Sequence, residues 1–533
     1  MRNKTRKSRQ PRPLFAVRRD GTQAVPSKAD LKATGARFAL SCTAILCALG
    51  AMSTYGAAAQ TPVPIASATA GATPQGRLQE AWWKKRHEAV IQQGKQHPDT
   101  DLLWIGDSIT NNFEKSTLPD ENFQPTWQEF YAPRKALNLG FSGDTTANLL
   151  WRLQHGEVAN LHPRAVVLLI GTNNTGAAQQ SPVETEVGID AVVAELEHRL
   201  PASKILLLGL LPSAISAKKA ADDAMINRYL SATYAENAQV TYLDAGSVLL
   251  KGGVLETKLF YDPRLPGHLP ALHPDTVGQR RMAEAIEPTL AKLMEAPPAV
   301  PLTAMTDINT ALIPVSRLEL DSYDWFARHH AELQVRHTMQ PQIVMVGDSI
   351  THFWGGAPYG TQARGPAAWA ELFGNTPVLN MGFGWDRIQN VLWRVEHGEF
   401  DGLAPATMVI NIGTNNLTGT EHARANTPAE VVEGIGQLCS ELHQRSPTSH
   451  LVLMGIFPRN DSPNDPLRAP IHEVNAQLAR IYAHEPGVRF VDIGNQFVRA
   501  DGTLRRDLMP DGTHPNEAGY RIWAEALRVA LHF

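Results

Sequence analysis

The sequence predicts two consecutive α/β domains, each built on a mainly parallel sheet with helices on both faces. Three observations carry that expectation: one long internal repeat, short uniformly apolar runs that end at Gly or Pro, and patterned segments of helical length between those runs.

The repeat comes first because it sets the domain count. "LLWIGDSIT" at 102–110 returns as "IVMVGDSIT" at 343–351, "NLGFSGDTTANLLWRLQHGE" at 138–157 as "NMGFGWDRIQNVLWRVEHGE" at 380–399, and "VVLLIGTNN" at 166–174 as "MVINIGTNN" at 408–416. Ser108 and Ser349 are 241 residues apart, as are His273 and His514. Solenoid repeats run to about 20–50 residues, so a period this long means a duplicated domain. The prolines of "EAPPAVPLTAM" at 295–305 mark the junction. The expected organisation is a leader over 1–59, a linker over 60–79, a first domain over 80–296, a Pro-containing linker over 297–315 and a second domain over 316–533.

In the first copy the apolar runs are "LLWIG", "AVVLLIG", "KILLLGLLP" and "VTYLDAG"; in the second they are "IVMVG", "VLNMG", "MVINIG", "HLVLMGIFP" and "VRFVDIG". Each is too short for a helix, and segments such as "ETEVGIDAVVAELEHRL" at 184–200 follow them. Strands apolar on both faces belong in a parallel sheet covered on both sides. Functional groups are then expected beyond the carboxyl ends of the strands.

The N-terminal stretch reads differently. Residues 1–37 hold 11 Lys/Arg against 2 Asp/Glu, followed by the uncharged "FALSCTAILCALGAM" at 38–52 and the small residues of "STYGAAAQ". This is the pattern of an export signal with a long basic n-region, cleaved after Ala59. A retained anchor is the other reading, but 15 residues fall short of the roughly 20 that span a bilayer. The expected location is therefore periplasmic or extracellular, with no stable membrane span in the mature chain.

The whole chain carries −4 and residues 1–37 carry +9, which leaves −13 for the remainder. So acidic a protein is not built to hold nucleic acid. Cys42 and Cys47 would leave with the signal, so Cys439 has no partner for an intramolecular disulfide. A lone cysteine lacks the clustered ligands of a zinc site, and it reads as a small buried residue on a helix. No cofactor or metal is expected.

The polar motifs fall at the predicted strand ends. Ser108 and Ser349 each follow an apolar strand through Gly-Asp, at a turn into a helix. Taken alone, each is as well explained by N-capping. Two further blocks change the balance. The first Asn of "GTNN" can aim its amide over the sheet edge, and the glycines of "GFSGDTT" let backbone N–H groups approach a ligand. A hydroxyl, a backbone N–H and an amide from three strand ends can surround one carbonyl oxygen. Four phrases in the same order, twice, are poorly explained as independent turns.

This assembly resembles the SGNH subfamily of the GDSL esterases and lipases, and "NLGFSGDTTANLLWRL" followed by "VVLLIGTNN" is similar to the intracellular platelet-activating factor acetylhydrolase catalytic-subunit type. The resemblance covers nearly all of 80–295 and 320–533. It implies two tandem flavodoxin-like three-layer α/β/α domains and hydrolysis of a carboxylic ester, commonly an acetyl ester. The "G-x-S-x-G" elbow of the α/β-hydrolases is absent from both copies of the nucleophile turn. Position by position, the resemblance implies Ser108 and Ser349 as nucleophiles, His273 and His514 as bases, Asp511 as the residue that orients His514, and Asn173 and Asn415 as oxyanion donors. The oxyanion glycine falls on Gly143 in the first copy and on Trp385 in the second.

Two departures stand out. Trp385 keeps a backbone N–H, which can serve if its φ is negative and Gly384 takes up the unusual dihedral. Its indole either borders the pocket, restricting the acyl group or stacking on a sugar ring, or packs in the core. Arg387 beside it is placed to contact an acidic or polar substrate. In the first copy, Pro270 stands where Asp511 would be expected. Asp262 takes that role if "PRLPGHLP" forms an inserted loop; a Ser-His dyad and an inactive copy are the other readings. Asp275 is read as a partner of the following helix dipole.

Simpler roles suit the rest. Asp107 and Asp348 hold the nucleophile turns; Trp151, Trp393, Arg152 and Arg394 supply packing and a buried ion pair; His155 and His397 lack the companions of a metal site. Two function classes follow: an exported two-domain esterase acting on small-molecule or glycan esters, and a carbohydrate-binding or scaffolding protein in which one or both copies have lost the chemistry. Oligomeric state is not legible from the sequence.

Overall fold

The computed structural model describes residues 70–118, 121–261 and 270–531. The first copy runs α1 (Ala81–Gln96), β1 (Leu102–Gly106), α2 (Ser108–Asn111), β2 (Ala136–Gly140), α3 (Thr146–Gln154), β3 (Ala165–Leu169), α4 (Pro182–Arg199), β4 (Lys204–Leu208), α5 (Ala217–Tyr234), β5 (Val240–Leu243) and α6 (Thr276–Leu293). The second repeats the pattern as α7 (Trp325–Thr338), β6 (Ile343–Gly347), α8 (Ser349–His352), β7 (Val378–Gly382), α9 (Ile388–Glu396), β8 (Thr407–Asn411), α10 (Pro428–Arg445), β9 (His450–Met454), α11 (Arg468–Ile481), β10 (Val488–Val491) and α12 (Glu517–Ala530). Strand order is β2-β1-β3-β4-β5 in one sheet and β7-β6-β8-β9-β10 in the other, with every pairing parallel. These are two tandem α/β/α domains.

Why the strands are apolar throughout follows from their alternation. Leu103 and Ile105 of β1 point into a core with Leu149 of α3, Val192 of α4 and Ile226 of α5, whereas Leu102 and Trp104 point to the opposite core with Met282, Ile286 and Leu290 of α6. β6 divides its residues the same way, Val344 and Val346 to one side and Met345 to the other. Burying such a side chain contributes about 1.5–3 kcal/mol, so each strand stabilises both layers.

Two local details differ from the sequence reading. β2 (Ala136–Gly140) is not among the apolar runs assigned to the first copy, although its counterpart "VLNMG", with the same central Asn, is among those of the second. Asn138 there donates to Thr110 O at 2.8 Å and accepts from Gly140 N at 2.9 Å, so its amide is satisfied inside the fold. Helix α4 begins two residues before Glu184. Ser181 and Glu184 form a capping box, and Pro182 occupies the first turn, where its missing N–H is harmless. Thr427 and Glu430 repeat that start for α10.

The Pro-rich junction is packed rather than free. Val300, Met305, Ile308 and Ile313 join the first copy's core, while Ala311 joins the second's. Side chains also cross between copies: Ser231 Oγ lies 2.9 Å from His397 Nε2, and Glu236 meets His330. A cleft of about 410 Å³ follows this seam, lined by Tyr234, Lys292, Arg317, Phe326 and Trp393. No helix of the described residues is long and apolar enough to cross a membrane.

Candidate active sites

In each sheet the strand order reverses beside the first strand of the copy, second in the sheet, which leaves a crevice at its carboxyl end. Ser108 and Ser349 open α2 and α8 there. Asp107 and Asp348 cap these helices, accepting from Ile109 N at 3.0 Å and Ile350 N at 2.9 Å. Burial pushes both carboxyls up to about 7, against the backbone donors that lower them. They hold the turn.

Ser108 Oγ lies 2.8 Å from His273 Nε2, and Ser349 Oγ lies 2.8 Å from His514 Nε2. The copies thus bring together the same pair from the two ends of the domain. In the second copy the series continues: His514 Nδ1 is 2.9 Å from Asp511 Oδ2, and Asp511 Oδ1 accepts from His514 N at 2.7 Å and Thr513 N at 3.0 Å. Burial alone would raise Asp511, but these N–H groups and Arg364 hold it well below the usual carboxylate range. Burial lowers His514, against the Asp511 charge that raises it, so the imidazole rests neutral with Nε2 able to accept. In the first copy Asp262 lies outside the described residues. Asp275 caps α6, accepting from Gly278 N at 2.7 Å, in keeping with a helix-start role.

The oxyanion candidates converge as well. Asn173 Nδ2 donates to Asp144 O and Asn415 Nδ2 to Asp386 O, each at 2.9 Å, which leaves one amide hydrogen on each to point elsewhere. The acids that follow the turn are anchored deeply. Asp144 accepts from Arg152 Nε and Trp83 Nε1, both at 2.8 Å; Asp386 accepts from Arg394 Nε at 2.9 Å and Trp325 Nε1 at 2.8 Å. Glu157 and Glu399 complete these buried ion pairs.

Trp385 requires a correction. Its φ is +65°, not negative, and Gly384 does not take the unusual dihedral; because Gly143 has a φ of +79°, the Trp385 N–H keeps the direction of the glycine donor by sharing its left-handed backbone. The anchored Asp386 and Asn415 fix the turn, so the side chain at 385 must accept the backbone it is given, at a cost of about 1–2 kcal/mol. Nor does the indole enter the core, since it is 40% exposed.

Arg387 also departs from the reading. Its side chain is 0% exposed, and Nη2 donates to Thr418 O at 2.8 Å. Burial pushes this guanidinium down to about 10, with Glu319 opposing. It sits beneath the 418–420 loop and is not at the surface to meet a substrate.

Two arginines that the motifs did not single out do reach the site. Arg364 Nη1 donates to Asp511 Oδ2 at 2.5 Å, and its guanidinium carbon lies 5.4 Å from the centre of the Phe353 ring, which itself neighbours His514. Arg459, beyond β9, lies against Thr414 and Thr418. A side-by-side reading of the copies carried the signal: Phe123 precedes the Gln-Pro step where Arg364 precedes Gly-Pro, and Ser213 follows Pro212 where Arg459 follows Pro458. Among the described residues no group of three or more His, Cys, Asp and Glu side chains is placed to hold a metal. Cys439 is buried, and burial pushes its thiol up to about 12.

A model of the GDSL-like lipase/acylhydrolase family matches the chain twice, over residues 104–281 and 345–522. The chain is similar to the platelet-activating factor acetylhydrolase IB subunit alpha1 of Homo sapiens, 31% identical over 207 residues that cover 39% of this chain and 82% of that protein. It is 30% identical over 215 residues to subunit alpha2 of Rattus norvegicus, covering 40% of this chain and 86% of that protein. Among solved structures, Axe2, an acetylxylan esterase from Geobacillus stearothermophilus, is similar with a TM-score of 0.30 and 20% identity, over 37% of this chain and 95% of that one.

Proposed function

The chain belongs to the GDSL-like lipase/acylhydrolase family and is a carboxylic ester hydrolase; from that premise we propose an exported two-site serine esterase that removes acetyl or other short acyl groups from small-molecule or glycan esters through an acyl-enzyme. The observation that carries the mechanism is the unbroken series Ser349 Oγ, His514 and Asp511, with separations of 2.8 and 2.9 Å.

His514 Nε2 takes the Ser349 proton as Oγ attacks the ester carbonyl, while Asp511 keeps Nδ1–H in place and stabilises the imidazolium. Charge builds on the carbonyl oxygen. The Ser349 N–H, the Trp385 N–H and the free amide hydrogen of Asn415 receive it, each donor contributing about 2.7–4 kcal/mol. The imidazolium then protonates the departing alcohol, and water repeats the sequence to release the acid. Ser108, His273, Gly143 and Asn173 play the same parts in the first copy, with Asp262 orienting His273.

Support for short acyl groups comes from the acetylhydrolase relatives, and support for export from the pattern of residues 1–59. The test is 4-nitrophenyl acetate hydrolysis by wild type, Ser108→Ala, Ser349→Ala and the double variant, with folding checked by circular dichroism. Loss only in the double variant means two working sites, and loss in one single variant identifies the working copy. Equal rates in all four would sink the serine mechanism and favour a binding or scaffolding role. N-terminal sequencing of secreted protein should begin at Gln60; an intact N-terminus would refute cleavage.

A further inference from the structure

We propose that the second copy carries an anion subsite at Arg459, beside Asn415, that selects esters bearing a carboxylate. This rests on the esterase reading above and adds a substrate class to one of its two sites.

Near Ser349, Arg387 and Arg459 both lack a carboxylate partner, but Arg387 is fully buried whereas Arg459 is only partly so. Arg394 is held by Asp386 and Glu399, Arg364 by Asp511, and Arg387 by the Thr418 carbonyl. Arg459 has no carboxylate of the described residues within ion-pairing distance. Its Nη1 makes only long contacts, 3.3 Å to Thr418 Oγ1, 3.4 Å to Thr414 Oγ1 and 3.5 Å to Thr414 O, and its Nε is buried with no partner. Thr414 and Thr418 flank Asn415 in sequence, so the guanidinium lies against the oxyanion loop itself. Its charge is felt by His514, and it feels Asp348, Asp465 and Asp511 only at longer range.

None of those carboxylates pairs with it. Asp465 accepts from Leu467 N and Asn460 Nδ2, and Asp511 from His514, Thr513 and Arg364, while Asp348 accepts from Ile350 N through Oδ1 and its buried Oδ2 stays out of ion-pair range of Arg459. A half-buried guanidinium with unused donors is costly in the free protein. An incoming carboxylate can take two of its N–H groups in the planar fork that arginine offers. Ser213 occupies this place in the first copy, so the preference belongs to Ser349 and not to Ser108.

The experiment uses the full chain with Ser108→Ala, so that Ser349 alone turns over. The specificity constants for mono-4-nitrophenyl succinate and 4-acetoxybenzoate are compared with that for 4-nitrophenyl acetate. Arg459→Ser should lower the anionic-to-neutral ratio at least tenfold, for succinate if the carboxylate rides on the acyl group and for acetoxybenzoate if it rides on the alcohol. Arg459→Gln, which keeps a donor toward Thr418 without the charge, serves if the serine variant fails to fold, and Arg459→Lys should restore part of the ratio. An unchanged ratio in a folded, active variant overturns the subsite. If the Ser108→Ala chain cleaves none of the three esters, the esterase reading has failed for the second copy instead. The subsite then stands or falls on calorimetric titration with succinate, where weaker binding to Arg459→Gln than to the parent supports it and equal binding overturns it.

Discussion

The two copies share a backbone and differ in what surrounds it. Both place a serine and a histidine 2.8 Å apart, both hold an Asn amide on the carbonyl of an Asp, and both anchor that Asp to a buried arginine. Around this skeleton the first copy has Gly143, Phe123, Thr145 and Ser213 where the second has Trp385, Arg364, Arg387 and Arg459. Besides Arg152, the first copy buries Lys219, bound to Thr175 and Asp223 at 2.9 and 2.7 Å. The difference teaches that the oxyanion geometry comes from backbone and buried ion pairs, which both copies keep, while the side chains around that skeleton are free to diverge in charge and bulk.

The strongest break in the comparison is removal of a nucleophile. In the Ser108→Ala chain, a second Ser349→Ala change should reduce kcat about 10⁶-fold; residual activity within tenfold of wild type would mean that neither serine is the nucleophile. Next comes the orienting acid. Asp511→Asn in that same chain should lower kcat about 10⁴-fold, because the amide no longer fixes the right tautomer of His514. Asp262→Asn in the Ser349→Ala chain asks the matching question of the first copy: an equal loss makes the copies equivalent, and no loss leaves His273 steered by something else.

Smaller effects sharpen the contrast. Asn173→Ala and Asn415→Ala, each in the chain where the other copy is silenced, should cost about 10²–10³ in kcat with little change in KM. Unequal losses would show that the glycine and tryptophan turns offer different donors. For the second copy the rate should rise with pH through a histidine pKa below the ordinary value of about 6.5, since burial favours neutral His514 and the neutral form is the base. Arg364→Gln should move that limb to higher pH, because its nearby cation disfavours the imidazolium; a stationary limb would refute that coupling. The smallest change is Trp385→Gly, which should stabilise the fold by about 1 kcal/mol through relief of the left-handed backbone. Urea titration would measure it, and a loss of stability would show that the indole packs more than its exposure suggests.

Much of this was legible in advance because it repeats. Ser108, Asn173 and His273 recur as Ser349, Asn415 and His514 at nearly constant spacing, and uniformly apolar strands announce a sheet buried on both faces. Less legible was β2, which went unread although its counterpart in the second copy was assigned; its Asn138 is satisfied by Thr110 of the nucleophile turn and by Gly140 of its own strand. Arg387 looked available because it adjoins the oxyanion turn in sequence, yet the start of α9 carries it inward beneath Thr418.

The sequence by itself determined the duplicated domain, the parallel sheets and the identity of the polar groups at the strand ends, since hydrophobic period and motif order are local properties written along the chain. Only the tertiary structure decided that Trp385 bears a positive φ, that Arg364 secures Asp511 across 147 residues, and that Arg459 stands beside Asn415 without a carboxylate partner. Each depends on which segments the sheet brings to one edge. A dihedral imposed by buried anchors, or a charge left unpaired, arises from neighbours distant in sequence, and spacing along the chain carries no record of them.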